Sequence, residues 1–393
     1  METHQVRRGV ARSIALLLAV AGQIGAQELP AKEQILADMS LANKYFIDKW
    51  PDPGTPIVTD KTRPANIWTR ATYMEGLMAL FEIDPEPNYY DYMVQWGEAH
   101  DWAPAYGRTN DRNADDQCCG QTYIDLYLID PQPQRIAKIK SCIDRMVNST
   151  KSDDWWWIDA LHMAMPVFAR LGMVYEDSRY YEKMYDLYSF TKYSEGDRGL
   201  CNPQDHLWWR DDTFDPPYTS PNGQDCYWSR GNGWVLAALV RVLDILPEDA
   251  VGREDYLQTF MDMAHALAPV QREDGFWNVS LHDPNEFGGP ELSGTAFFTY
   301  GIAWGIRQGI LDEDAFLPVV ANAWNGMVTL SLHPDGFLGY VQGTGKEPAS
   351  SQPVTYDSVP NFEDFGLGAF LLAGSEVYKL ARITENPDPN ALE

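Results

Sequence analysis

Asp153-Asp154-Trp155-Trp156-Trp157-Ile158-Asp159-Ala160-Leu161-His162-Met163-Ala164-Met165-Pro166 is the stretch from which the rest of the chain is read. Three indoles lead into one carboxylate. Ala160, Leu161, Met163, Ala164, Val167, Phe168 and Leu171 then recur at helical spacing, so this helix packs against neighbours on more than one side. Asp153 or Asp154 is predicted to cap it. Asp159 follows about one turn in, beside the indole rings. Loss of water around a carboxylate favours its protonated form. A carboxyl group that holds a proton near neutral pH is what general acid catalysis requires, which makes Asp159 a candidate acid. The plainer reading gives it a hydrogen bond to nearby backbone and nothing more.

Working outward, the chain reads as a series of helices separated by short Pro/Gly breaks, with little β-type alternation. Helices are predicted over 33–49, 68–81, 89–100, 119–128, 135–148, 178–192, 234–246, 253–271, 293–308, 315–330 and 365–381, besides the one that starts near Asp159. A coarse repeat runs through the second half. Gly199-Leu200, Asp274-Gly275-Phe276-Trp277 and Asp335-Gly336-Phe337-Leu338 each open a polar loop. The loops lead to small-residue helix starts at Arg230-Gly231-Asn232-Gly233-Trp234, Glu291-Leu292-Ser293-Gly294-Thr295-Ala296 and Asp364-Phe365-Gly366-Leu367-Gly368-Ala369. Successive units lie about sixty residues apart, enough for a helix pair plus a loop. This pattern predicts an all-α fold, an (α/α)6 barrel built as a toroid of six hairpins. The inner-helix N-termini would face one end, where their partial positive charge favours an acidic sugar group. No linker-rich boundary interrupts the chain, so residues 27–393 are predicted to form one catalytic domain behind a signal peptide at 1–26.

The signal is read from Arg7, Arg8 and Arg12, the apolar run Ile14 to Ala21, and small residues ending at Ala26. It predicts a periplasmic or secreted protein, and no later run is long and apolar enough to span a membrane. The net charge of -27 over 393 residues argues against nucleic acid or an anionic membrane as partner. It also means that any anionic substrate needs local cations to reverse the field. Trp 14 and Tyr 21 are high counts, and such rings line sugar clefts as well as cores. Five cysteines allow one or two disulfides in an oxidising compartment, with Cys201–Cys226, or Cys142 with Cys118 or Cys119, as candidates. No Cys/His spacing suggests zinc, and no glycine loop suggests a nucleotide.

Three further stretches carry candidate site residues. Asn113-Ala114-Asp115-Asp116-Gln117 offers a second carboxylate, or a simple N-cap. Trp228-Ser229-Arg230-Gly231-Asn232-Gly233-Trp234 places a guanidinium among indoles, and its fork matches a carboxylate. Gln204-Asp205-His206-Leu207-Trp208-Trp209-Arg210-Asp211-Asp212 reads as a cleft-lining loop, although a lone histidine such as His206 is more often structural.

Together, Asp159-Ala160-Leu161-His162-Met163-Ala164-Met165-Pro166, the Trp228–Trp234 stretch, Ser293-Gly294-Thr295-Ala296 and Gly366-Leu367-Gly368-Ala369-Phe370 resemble glycoside hydrolase family 105. These are the unsaturated rhamnogalacturonyl hydrolases, related to the unsaturated glucuronyl hydrolases of family 88. The resemblance runs from about Trp68 to Lys379. It implies an (α/α)6 barrel, no metal or organic cofactor, and oligosaccharides left by polysaccharide lyases as substrates. In such enzymes a C4=C5 unsaturated uronic acid is hydrated at its vinyl ether, so the carboxylate spacing rule of ordinary glycosidases does not apply. Asp159 matches the general acid and base, Asp116 the second carboxylate, and Arg230 and Trp234 the pair that holds the uronate. Trp157 and Tyr73 match sugar-contacting positions, with Trp228 beside the arginine motif. Where many members carry a histidine, this chain has Arg210, with His206 nearby. The alternatives are a conventional inverting glycosidase on the same toroid and a catalytically inactive sugar-binding protein. A sugar isomerase needs clustered histidines, and the seven here do not cluster.

Overall fold

A computed structural model describes residues 28–381. The proposed signal peptide lies outside these residues. Thirteen α-helices and one two-stranded ribbon are present among them. They are α1 (Lys32–Lys49), α2 (Trp68–Ile83), α3 (Pro87–Ala99), α4 (Ala114–Gln117), α5 (Gly120–Ile129), α6 (Gln134–Val147), α7 (Asp159–Tyr175), α8 (Ser178–Tyr193), α9 (Ser229–Leu243), α10 (Arg253–Leu267), α11 (Leu292–Arg307), α12 (Glu313–Leu330) and α13 (Phe365–Leu380). Strands β1 (Ile57–Val58) and β2 (Thr62–Arg63) pair antiparallel.

Burial sorts the helices into two rings. In α9 every residue from Ser229 to Leu243 is buried, and α7, α11 and α13 are covered over most of their length. Helices that are enclosed on all sides must sit inside. In α6 only Arg135, Ile136, Ile139, Cys142, Ile143 and Met146 are buried, a stripe at i, i+3, i+4 that marks an outer helix. Neighbour packing closes the inner ring in the order α2, α5, α7, α9, α11, α13 and back to α2. Each inner helix pairs with an outer one (α3, α6, α8, α10, α12 and, for α13, α1), which gives the six hairpins of an (α/α)6 barrel.

The repeated glycine turns have a shared physical cause. Gly199, Gly275 and Gly336 hold φ of 82°, 87° and 97°, and each lies against the backbone of an outer helix. A Cβ would come within 2.0 Å of the Lys192 carbonyl, 2.0 Å of the Asn322 carbonyl and 2.4 Å of the Leu41 carbonyl, respectively. The long loops are thereby tied to the outer ring at the end of the barrel where the inner helices begin. Turns at the other end are short, such as the two residues between α7 and α8.

Beneath that end runs a buried polar column. His162 Nε2 meets Glu75 Oε2 at 2.8 Å, Arg241 Nε donates to Gln121 Oε1 at 2.7 Å, and Arg170 Nε donates to Asp125 Oδ1 at 2.6 Å. All five cysteines are free thiols, so neither disulfide pairing forms. No helix among the described residues is long and apolar enough to cross a membrane.

The predicted element edges hold within a few residues except at α9, which begins at Ser229 rather than Trp234. Gly231 and Gly233 lie inside the helix rather than just before it, and they are the contact points of its closely packed start, with a Cβ at Gly233 only 3.0 Å from Phe297 Cβ. Neither Asp153 nor Asp154 caps α7. Lys151 pairs with Asp153, and Arg112 pairs with Asp154. Gly275→Ala adds both left-handed strain and the Asn322 clash, so it should lower unfolding stability by about 2–4 kcal/mol. An unchanged urea midpoint would refute this explanation of the turn.

Candidate active site

Asp159 is the first residue of α7 and is 9 % exposed. The preceding residue fixes what stands beside it. Ile158 N–H donates to the Arg210 carbonyl at 3.0 Å, which pins the Arg210 loop to the helix start. Arg210 Nε then donates to Asp159 Oδ2 at 3.0 Å, and its Nη1 donates to Asp211 Oδ2 at 2.6 Å. Asp211 is held in turn by the Thr213 N–H at 3.0 Å.

Of the two adjacent carboxylates, Asp115 is the one that lies in the field of Asp159, while Asp116 faces Asp111. Asn113 caps the short helix α4 by accepting from the Asp115 N–H at 3.0 Å. Packing of α4 on α7 brings the Asp115 carboxyl into the field of Asp159 and Arg210. Burial first, and the Asp159 charge second, push Asp115 up to about 7, while Arg210 pulls the other way. Asp116 instead shares a hydrogen bond with Asp111, and burial with that contact pushes it up to about 8. Adjacent residues on a helix point about 100° apart, so one register step decides which carboxyl meets Asp159.

A cavity of about 330 Å³ opens beside Asp115, lined by Arg63, Ile67, Trp68, Tyr106, Arg108, Asn113, Asp115 and Asp116. That volume suits one or two sugar rings. No group of three or more His, Cys, Asp or Glu that could hold a metal occurs among the described residues.

Several candidate residues sit elsewhere. Arg230 is 1 % exposed. Its Nη1 and Nη2 donate to the Gln342 and Gly343 carbonyls at 2.7 Å each, and it stacks over Trp228 at 4.5 Å. Burial pulls its pKa down, to about 10. In this arrangement it anchors the last long loop rather than presenting a free fork. Trp228 is buried too, and its indole N–H donates to Gln342 Oε1 at 2.8 Å. Trp234 is fully buried, 4.8 Å from the His162 ring and 4.4 Å from Phe297, with Trp68 edge-on to it at 5.9 Å. Tyr73 points outward from α2, and its hydroxyl donates to Asn43 of α1 at 2.8 Å. Trp157 is nearly covered, while its neighbour Trp156 is 48 % exposed, the two rings 4.7 Å apart. His206 faces Asp262 of α10 at 3.7 Å, away from Asp159.

Two inner-helix N-termini are filled by the protein's own carboxylates. Glu291 accepts from the Ser293 and Gly294 N–H groups at 2.9 and 2.8 Å. Asp364 accepts from the Phe365 N–H at 2.9 Å and from Arg70 at 3.2 Å. Those helix starts therefore do not offer a sugar's acidic group the open site expected of them. Cavity residues that the sequence did not single out are Trp68 and Tyr106. Trp68 had a signal, because it is the first residue of an inner helix.

The sequence profile of Glycosyl Hydrolase Family 88 matches residues 39–381. An unsaturated 3S-rhamnoglycuronyl hydrolase from Formosa agariphila is 32 % identical over 333 residues, which span 80 % of this chain and 84 % of that one. A solved structure described as glycosyl hydrolase family 88 from Bacteroides vulgatus superposes with a TM-score of 0.81 at 32 % identity, covering 89 % of this chain and 99 % of that one. Another, described as a polysaccharide lyase, gives 0.80 at 32 % identity over 88 % and 97 % of the two chains. The resemblance drawn from the motifs agrees with these matches.

Arg230→Lys removes the two-carbonyl fork that ties the loop beyond residue 341. Limited proteolysis should then cut within 344–363 several times faster than in the wild type, and an equal rate would refute the anchoring role.

Proposed function

We propose a function from the premise that this chain belongs to Glycosyl Hydrolase Family 88: it is a glycoside hydrolase that removes a 4,5-unsaturated uronic acid from the non-reducing end of oligosaccharides. The finer reading is that its substrates are lyase products of rhamnogalacturonan or ulvan type, which the rhamnoglycuronyl specificity in the Formosa relative's name supports. The observation that carries the reading is the Asp115–Asp159 pair with Arg210 beside it, at the mouth of a helical toroid and next to a sugar-sized cavity.

The chemistry follows from the pair. Two carboxyls in each other's field do not both ionise readily, so one proton stays with them near neutral pH. Before substrate binds, Asp115 holds it and Arg210 neutralises Asp159. In the reaction that proton passes from Asp115 to Asp159, which delivers it to C4 of the vinyl ether, and positive charge builds at C5 and the ring oxygen. Water adds at C5 and gives up a proton to the same carboxylate. The hemiketal then opens and releases the rest of the chain at C1. Export of the enzyme, inferred from residues 7–26, would place it where lyase products form.

The polysaccharide lyase among the relatives defines the second reading. The two readings have opposite optical signs. A hydrolase removes the absorbance of the conjugated uronate from lyase-digested rhamnogalacturonan or ulvan, and a lyase creates that absorbance from intact polymer. Loss of absorbance is expected from the wild type, with Asp159→Asn slower by about a thousandfold or more. Absorbance gained on intact polymer, or full activity in the variant, would overturn the assignment.

A pH profile isolates Arg210. Its charge lowers the affinity of the pair for their proton, so Arg210→Gln should move the alkaline limb of kcat/KM upward by about one pH unit or more. Arg210→Lys should largely restore it. An alkaline limb that stays in place in the Gln variant would show that Arg210 does not tune the pair.

A further inference from the structure

Glu75 is a carboxylate that the proton chemistry does not use. It stands midway along the inner helix α2 and is 1 % exposed. Its two oxygens meet two different helices. Oε2 lies 2.8 Å from His162 Nε2, and Oε1 accepts from the Cys118 thiol at 3.3 Å. His162 comes three residues after Asp159 on α7. Cys118 comes three residues after Asp115, and its φ of -54° and ψ of -39° carry the helical backbone of α4 past Gln117. Residues three apart share one face of a helix, about one turn from each other. One buried carboxylate therefore grips the residue one turn below Asp159 and the residue one turn below Asp115.

Stability does not call for a carboxylate there, because well-packed apolar side chains fill such a position as well or better. Burial acts first to raise Glu75, yet His162 and Arg241, together with the bonds from His162 and Cys118, hold it below the usual carboxylate range. It is thus charged at neutral pH and accepts on both sides. Arg241 approaches it at 3.7 Å from α9. Burial first, and then the charge of Glu75, push the Cys118 thiol well above its ordinary range, so the thiol keeps the proton it donates. Gln121, further along from Cys118, crosses the same gap and donates to the His162 carbonyl at 2.8 Å. The neighbouring thiol of Cys119 turns elsewhere, to the Ala103 and Asp116 carbonyls at 3.7 Å each.

We propose that Glu75 is a positioning residue: bonded to His162 and Cys118 at once, it sets the separation of Asp159 and Asp115 and so governs the passage of the proton between them. It touches no substrate, and the proposal rests on the hydrolase reading above. Proton transfer needs the two carboxyls within hydrogen-bond reach, directly or through one water. A misplacement of about 1 Å costs on the order of a hundredfold in rate. Substrate is held by other groups, so loosening this clamp lowers kcat and leaves KM where it was.

Glu75→Gln strands Arg241 without its countercharge and risks unfolding, so the test is made at Cys118. Cys118→Ala removes one arm of the clamp and leaves Glu75 with His162 and Arg241. On an unsaturated uronyl disaccharide, kcat per folded molecule should fall by about tenfold or more, with KM near that of the wild type. The alkaline limb of kcat/KM should move to lower pH, because carboxyls farther apart hold a shared proton less tightly. The groups facing the pair are all retained in that variant: Arg210 and Asp211 from the loop above, Asp111 and Asp116 beside it, and Glu75, His162 and Arg241 below. Cys118→Ser restores a donor and should recover most of kcat. Cys119→Ala removes the thiol next door and should leave kcat near wild type. An unchanged kcat in Cys118→Ala would overturn the clamp while leaving the hydrolase reading intact. Equal losses in the Ser and Ala variants, or a like loss in Cys119→Ala, would overturn it as well, since thiol volume and not the bond to Glu75 would then matter. A wild type with no turnover would remove both.

Discussion

The mouth of the barrel is organised by one ion pair, Arg210 to Asp159 at 3.0 Å. It depends on a backbone bond, Ile158 N–H to the Arg210 carbonyl, that no side-chain substitution removes directly. With the loop pinned there, the guanidinium sits between Asp159 and Asp211 and leaves Asp115 as the carboxyl that burial and a neighbouring charge push toward neutrality. Two acids with unlike surroundings are what proton transfer at neutral pH requires. The loop is longer than a turn between helices needs, and its extra length carries the cation to the helix start.

The interior below is built to keep that geometry rigid. One turn deeper than Asp159 on the same helix, His162 is matched to Glu75, and Arg241, Gln121, Asp125 and Arg170 continue the column toward the far end. Removing one member of such a buried set strands the charge of another, at a cost of several kcal/mol. The inner helices therefore hold a fixed rotation about their axes, and with it the direction of every side chain at their N-termini. Arg230 does similar work above the ring by holding two carbonyls of the last loop.

The fold was legible because its signals repeat. Enclosed helices alternate with striped ones, and the Asp-Gly-Phe turns recur because each must lie against an outer helix where a side chain has no room. The site was legible in outline through the Trp run, the acid after it and an arginine in place of histidine. Its details were not. Sequence cannot separate Asp115 from Asp116, since both flank the same helix start and only rotation about α4 chooses between them. Trp156 and Trp157 pose the same problem, and the exposed indole is the one not expected. Arg230 and Trp228 look like a ligand clamp because guanidinium and indole serve both binding and packing, and sequence does not place the Gln342 and Gly343 groups that they hold in the structure. Tyr73 fell on the outer face of α2 because its partner, Asn43, lies thirty residues away on another helix.

The most direct test is a crystal structure of the Asp159→Asn protein with an unsaturated uronyl disaccharide. The expected result is the unsaturated ring held between the substituted side chain at position 159 and Asp115, with C4 at near-attack distance from that side chain, about 3–3.5 Å. A ring bound outside this cavity, or one whose C4 lies beyond reach of both side chains, would contradict the assignment.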